Sequence, residues 1–207
     1  MKCLAILAQK GGVGKSAVAR SLSVAALMDG RPTAIIDADP QGTIVRWARR
    51  RAAPAPTVVA LGGRTLRQQL DELAGRGAEL VVIDTPPHAQ ATIAQAAEAC
   101  DAALLVTGPY PEDLEAIGAT VGIVQTLGRP AGILLNKCPP RAAALSLARS
   151  ALTAFRLPIW SGQMTQLISH PYAAAEGLTA SEREPGSKAA AEVSAVWEWV
   201  ETMMLVS

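Results

Sequence analysis

With 207 residues, half of them hydrophobic, the chain has the length for one domain, residues 1–207, that buries roughly 70% of its unfolded surface in a single core. Its 19 basic and 18 acidic residues leave a formal charge of +1, which argues against a nucleic-acid binder working through bulk charge; any such surface must be local. No apolar run is long enough to span a bilayer, and Cys3, Cys100 and Cys138 lie far apart without C-x-x-C spacing, against a disulfide framework or a zinc site.

The run Lys2 to Ala8 is apolar enough for a buried strand. Without a small-residue cleavage site after it, it reads as a strand and not a signal peptide, and the protein as cytoplasmic. Lys10-Gly11-Gly12-Val13-Gly14-Lys15-Ser16 follows, and from Ala17 the composition is helical. Glycines between a strand and a helix are the context of a phosphate-binding loop. They let the backbone turn tightly and aim successive N–H groups at phosphate oxygens, while the helix adds the partial positive charge of its N-terminus. Gly11 to Ala17 would then cradle a nucleoside triphosphate, Lys15 would reach its β/γ-phosphates, and the Ser16 hydroxyl would ligate Mg²⁺. The usual spacing needs glycine at position 9, which is Gln9 here, and a second lysine, Lys10, precedes the glycine pair.

Beyond a stop at Asp29-Gly30, Pro32 to Ile36 forms a second buried strand that delivers Asp37 and Asp39 to its carboxyl end. In an open parallel sheet these acids face the same crevice as the phosphate loop. Ile44 to Arg51 reads as a short helix with Arg46, Arg49 and Arg50 on one face, ordinarily a solvated face and otherwise one that touches DNA phosphates or a partner. Thr57 to Leu61 looks like a strand outside the nucleotide site, followed by a helix from Thr65 to about Ala74. Leu80 to Ile83 then ends in Asp84, whose carboxylate can bind a water of the Mg²⁺ shell opposite Ser16 or cap the next helix.

Strands over Ala102–Thr107 and Ala131–Leu135, with a helix from Glu112 to Leu127 between them, continue the β-α alternation. Arg141, Arg149 and Arg156 fall within roughly an 80° arc of one helix face across Arg141 to Phe155, which makes them the candidate basic stripe for DNA, against an ordinary solvated face. A last helix, Ser187 to Leu205, carries Glu192, Glu198 and Glu201 with only Lys188 basic, so Trp197 and Trp199 read as packing residues and not a membrane anchor.

The order K-G-G-x-G-K-S, D-x-D-P-Q-G, D-T-P-P, Asn136-Lys137 and S-K-A-A resembles the ParA/MinD family of deviant Walker A ATPases over nearly the whole chain. The resemblance implies an α/β fold, a doubly wound, mostly parallel sheet with helices on both faces. It implies that ATP and Mg²⁺ are bound, and that Lys10 reaches a partner subunit's nucleotide in an ATP-bound homodimer. By the same resemblance Asp39 positions the attacking water, Asp37 supports the Mg²⁺ shell and Asn136 reads the adenine edge. With no helix-turn-helix segment ahead of the loop, the short ParA branch is the expectation: slow hydrolysis stimulated by a centromere-binding adaptor, non-specific DNA binding and nucleoid association in plasmid or chromosome partition. The alternative is the same cycle positioning a protein cargo or division site through a cargo adaptor. A metabolic or electron-transfer enzyme on the same scaffold is the remote third.

Overall fold

The computed structural model describes residues 1–140 and 144–205. Its six strands are β1 (Lys2–Leu7), β2 (Thr33–Asp37), β3 (Thr57–Ala60), β4 (Leu80–Asp84), β5 (Ala102–Thr107) and β6 (Ala131–Leu135). They form one sheet in the order β3-β2-β4-β1-β5-β6, every pairing parallel. The crossovers carry α1 (Lys15–Met28), α2 (Thr43–Ala48), α3 (Leu66–Gly75), α4 (Gln90–Ala99) and α5 (Pro111–Thr126). After β6 come α6 (Ala144–Leu152), α7 (Ser169–Ala175), α8 (Ala180–Arg183) and α9 (Lys188–Leu205).

Parallel strands need crossover helices, and helices on both faces require strands that are apolar on both sides. β1 shows the consequence residue by residue. Cys3, Ala5 and Leu7 join one cluster, with Leu70 and Leu73 of α3, Ile93 of α4, Val121 of α5 and Leu152 of α6. Leu4 and Ile6 join the other, with Leu22 of α1, Trp47 of α2 and Val196 and Val200 of α9. Each fully buried Leu or Ile side chain contributes about 2 kcal/mol, so the two clusters carry most of the stability.

The C-terminal tryptophans pack as expected. Trp197 is buried, with its indole donating to Asp29 Oδ2 at 3.3 Å, and the Trp199 ring lies against Gly132 of β6, where a Cβ would meet it. Among the described residues no helix is long and apolar enough to cross a membrane.

Both expected basic faces change. The α2 helix stops at Ala48, and the chain turns so that Arg51 points inward. Its guanidinium lies over the Trp47 ring at 4.6 Å, donates to Ala55 and Gly177 carbonyls and pairs with Glu182 at 2.7 Å. Arg50 donates to the Ala174 carbonyl at 3.1 Å, although it is exposed together with Arg46 and Arg49. The stripe of Arg141, Arg149 and Arg156 does not form. Arg141 lies outside the described residues; Arg149 donates to the carbonyls of Trp160, at 2.8 Å, and of Gly162; and Arg156 follows a 3-10 turn with φ of 54°, off the axis of α6. α6 ends at Leu152, four residues before Arg156, so its face does not carry Arg156.

Glu182 also closes a capping box with Thr179, and its partner Arg51 holds its carboxyl below the usual carboxylate range against the opposing effect of burial. A depressed acid stabilises the fold above its unfolded pKa and loses that contribution as pH falls through its folded one. Glu182→Ala should therefore cost about 3 kcal/mol at pH 7 in urea unfolding, with the deficit shrinking below about pH 4.

Candidate functional site

β2 and β4 pair in register to their last residues, Asp37 opposite Asp84, while β1 runs on the other side of β4 into the glycine loop. The strand order thus brings both acids and the loop to one carboxyl edge. Gly12 and Gly14 have φ of 80° and 95°, the left-handed region that lets the loop fold back onto the start of α1. The first turn of α1 closes with Val18 N–H donating to Gly14 at 3.0 Å, so the amides of Lys15, Ser16 and Ala17 stand at the helix start as unspent donors. Lys15 is buried, its ammonium donating to the Lys10 carbonyl at 3.2 Å. Burial lowers its pKa, and Asp84 and Asp39 oppose that.

Asp84 is fully buried, and neither carboxylate oxygen has a hydrogen-bond partner among the described residues. Burial pushes its pKa up to about 7; the neighbouring Ser16 hydroxyl and Lys15 favour the charged form, whereas Asp37 and Asp39 disfavour it. A desolvated carboxylate without a donor, facing a serine at a helix start, fits a hard divalent cation such as Mg²⁺.

Two residues expected at the ligand also make structural contacts. Asp37 accepts from the Ile44 and Val45 amides through Oδ2, at 2.9 and 3.0 Å, and from the Asp39 amide through Oδ1 at 3.2 Å. Both oxygens thus hold the start of α2 and the turn before it, in addition to any support of a metal shell. Burial raises its pKa, and these amides counter it. Asn136, expected to read adenine, donates its amide to the Val13 carbonyl at 2.7 Å and lies where a Cβ on Gly14 would be. It braces the loop from below.

Asp39 is half-exposed, with Oδ1 accepting from the Gln41 amide at 2.9 Å, and faces the cleft with Thr43. Lys10 is paired with Asp113 at 2.7 Å, where the α5 start passes close to Gly108. The cleft, about 750 Å³, runs from the glycine loop along α1 to a wall made by Pro139, Pro140 and Met164 to Ile168. That wall is an incomplete strand: Ile159 bridges Ile133, Thr165 bridges Cys138, and Glu192 of α9 holds Thr165 by its amide and hydroxyl at 2.8 and 2.6 Å.

Residues 4–179 match the family model of the CobQ/CobB/MinD/ParA nucleotide binding domain. The chain belongs to this family. It is an ATPase of the ParA/MinD kind, with the six-stranded all-parallel fold of that group. It is 34% identical over 182 residues to Maintenance of carboxysome distribution protein A of Gloeobacter kilaueensis, covering 86% of this chain and 83% of that protein. Among solved structures it is similar to an ATP complex of a McdA variant from Cyanothece, with a TM-score of 0.73 and 18% identity over 99% of this chain and 96% of that one. It is also similar to the septum site-determining protein MinD of Pyrococcus horikoshii complexed with Mg-ADP, with a TM-score of 0.73 and 20% identity over 96% and 95%.

The cleft roles of Asp113, Glu192, Arg20 and His170 in this ParA/MinD chain emerge only in the fold. For Arg20 a signal existed, since it follows Ser16 by four residues and shares its face of α1. For the others the contacts span distant segments and leave no local pattern. If Asn136 braces the loop, Asn136→Ala orphans the Val13 carbonyl and lowers the stability of the nucleotide-free protein by about 1–2 kcal/mol in urea unfolding. An unchanged midpoint would instead mark a side chain reserved for ligand.

Proposed function

We propose that this ATPase uses Mg-ATP to dimerise, binds DNA non-specifically in that state, and positions a protein cargo by way of an adaptor that stimulates hydrolysis. The observation that carries the cargo is the similarity to a carboxysome-distribution protein over 86% of the chain. Partition of plasmids or chromosomes, the first expectation from the motifs, yields to it. Those motifs belong to the nucleotide cycle, which both uses share.

The cleft supports the cycle in this way. Gly11 to Ala17 and the α1 start hold the phosphates, with Lys15 against the β/γ oxygens. Ser16 and Asp84 hold Mg²⁺, which supplies neutralisation of charge on the phosphates. Asp39, at the cleft mouth, orients the water or takes its proton, while Asp37 keeps the α2 start in place beneath it. Lys10 leaves Asp113 to reach the partner's nucleotide, so its effect is confined to the dimer. Asn136 sets loop geometry. Any DNA contact has to come from exposed arginines that the dimer brings together, such as Arg46, Arg49 and Arg156, since Arg149 is spent on its own chain.

Variants separate these roles. Lys15→Ala should lose nucleotide binding. Asp39→Ala should keep ATP and dimer but lower turnover by about 10²-fold or more, as for a lost general base. Lys10→Ala should bind ATP as a monomer, and light scattering showing a normal ATP-dependent dimer would remove its proposed role.

Cargo is tested in cells of the source organism by deleting the gene. The expected result is that a protein assembly collapses into few clusters under fluorescence microscopy while plasmid retention stays unchanged. Plasmid loss with evenly spaced assemblies would return the reading to partition.

A further inference from the structure

Arg20 sits on α1, four residues after Ser16 and facing the same cleft. Helical side chains tilt toward the helix N-terminus, so its stem runs back toward the phosphate loop. An arginine reaches about one helical turn, the separation between its own Cα and that of Ser16. Among the described residues, its guanidinium has neither a hydrogen bond nor an ion pair, although Arg31, Arg51, Arg64, Arg67, Arg76 and Arg183 all have carboxylate partners. Burial pushes its pKa down to about 10, with Asp84 opposing and Arg50 reinforcing.

A second unspent polar atom lines the same stretch. His170, in the first turn of α7, has a buried Nε2 without a partner among the described residues. Burial and the Arg20 charge hold this imidazole below its usual pKa, with Glu192 opposing. A desolvated guanidinium and an orphaned imidazole nitrogen in one cleft are costly unless something entering the cleft satisfies them. Asp84 attracts Arg20 but lies beyond pairing distance.

We infer that Arg20 is a second phosphate-binding cation of the cleft, acting within its own subunit: it takes a phosphate oxygen of the bound nucleotide beside Lys15. The inference rests on the ATP-binding reading above. Anionic phosphate oxygens match a guanidinium in charge and fork geometry better than any neutral group of the nucleotide does. The contact is made before dimerisation, so it serves ATP and ADP alike, unlike Lys10, whose effect requires the partner.

Calorimetric binding of Mg-ATP and Mg-ADP to wild type, Arg20→Gln and Arg20→Lys tests this, with melting temperatures of the nucleotide-free proteins and Lys15→Ala as control. The expected result is that Arg20→Gln weakens both nucleotides at least tenfold, that Arg20→Lys recovers most of the loss, and that the nucleotide-free melting temperature of Arg20→Gln is equal to or above wild type. A removed structural residue would lower that temperature. Affinities within twofold of wild type, or a loss of affinity accompanied by a lower melting temperature in both variants, would overturn the role of Arg20. With wild type binding and Lys15→Ala not binding, that failure would leave the ATPase reading standing; failure of wild type to bind either nucleotide would overturn both.

Discussion

The parallel register that ends β2 and β4 at the same level places two carboxylates side by side at the sheet edge, and the chain treats them in opposite ways. Asp37 accepts from three backbone amides and fastens the start of α2. Asp84 is buried to the same depth and given none. A carboxylate left like this works against the fold unless a cation arrives, and the amides at the start of α1 beside it invite anions. The site is therefore built for a metal–phosphate pair, in which each component relieves the strain left for the other.

Around that edge, the cleft is assembled from pieces far apart in sequence. Asn136, at the end of β6, supports the glycine loop from across the sheet, and Gly14 has no side chain because Asn136 occupies that space. The outer wall is a stretch that follows β6 in fragments of pairing and is tied down by Glu192 from the last helix. The last helix thus helps shape a pocket whose chemistry begins in the first strand. Lys10 and Arg20 add charge at opposite sides of the loop, one held by Asp113 and one held by no acid among the described residues.

Electrostatics away from the cleft are mostly spent internally. Arg51, Arg149 and Arg31 each bind carbonyls or carboxylates of their own chain, and the near-neutral net charge leaves a modest exposed remainder. Under the proposed function, a DNA-binding surface would be composed by pairing two subunits, which would couple it to the nucleotide that pairs them. The cargo proposed above rests on the similarity to a carboxysome-distribution protein and not on any residue of the cleft.

The strands and their order of appearance were readable from the sequence because a strand buried on both faces is a short apolar run, and each is closed by a turn or an acid. The glycine loop was readable because its chemistry is backbone chemistry and sits within seven consecutive residues. The tasks of individual side chains were decided by the tertiary structure. An aspartate at a strand end looks the same whether amides reach it, as at Asp37, or not, as at Asp84. Asn136 can offer its amide to a base or to Val13, and only the position of the loop chooses between them. The arginine stripe failed for a related reason: helical periodicity holds only as far as the helix runs, and α6 stops at Leu152, where tertiary contacts to the segment around Trp160 take Arg149 out of solvent. Local pattern determines which element forms, because it depends on neighbours in sequence; the partner of each polar group depends on neighbours in space, which the packed sheet alone brings together.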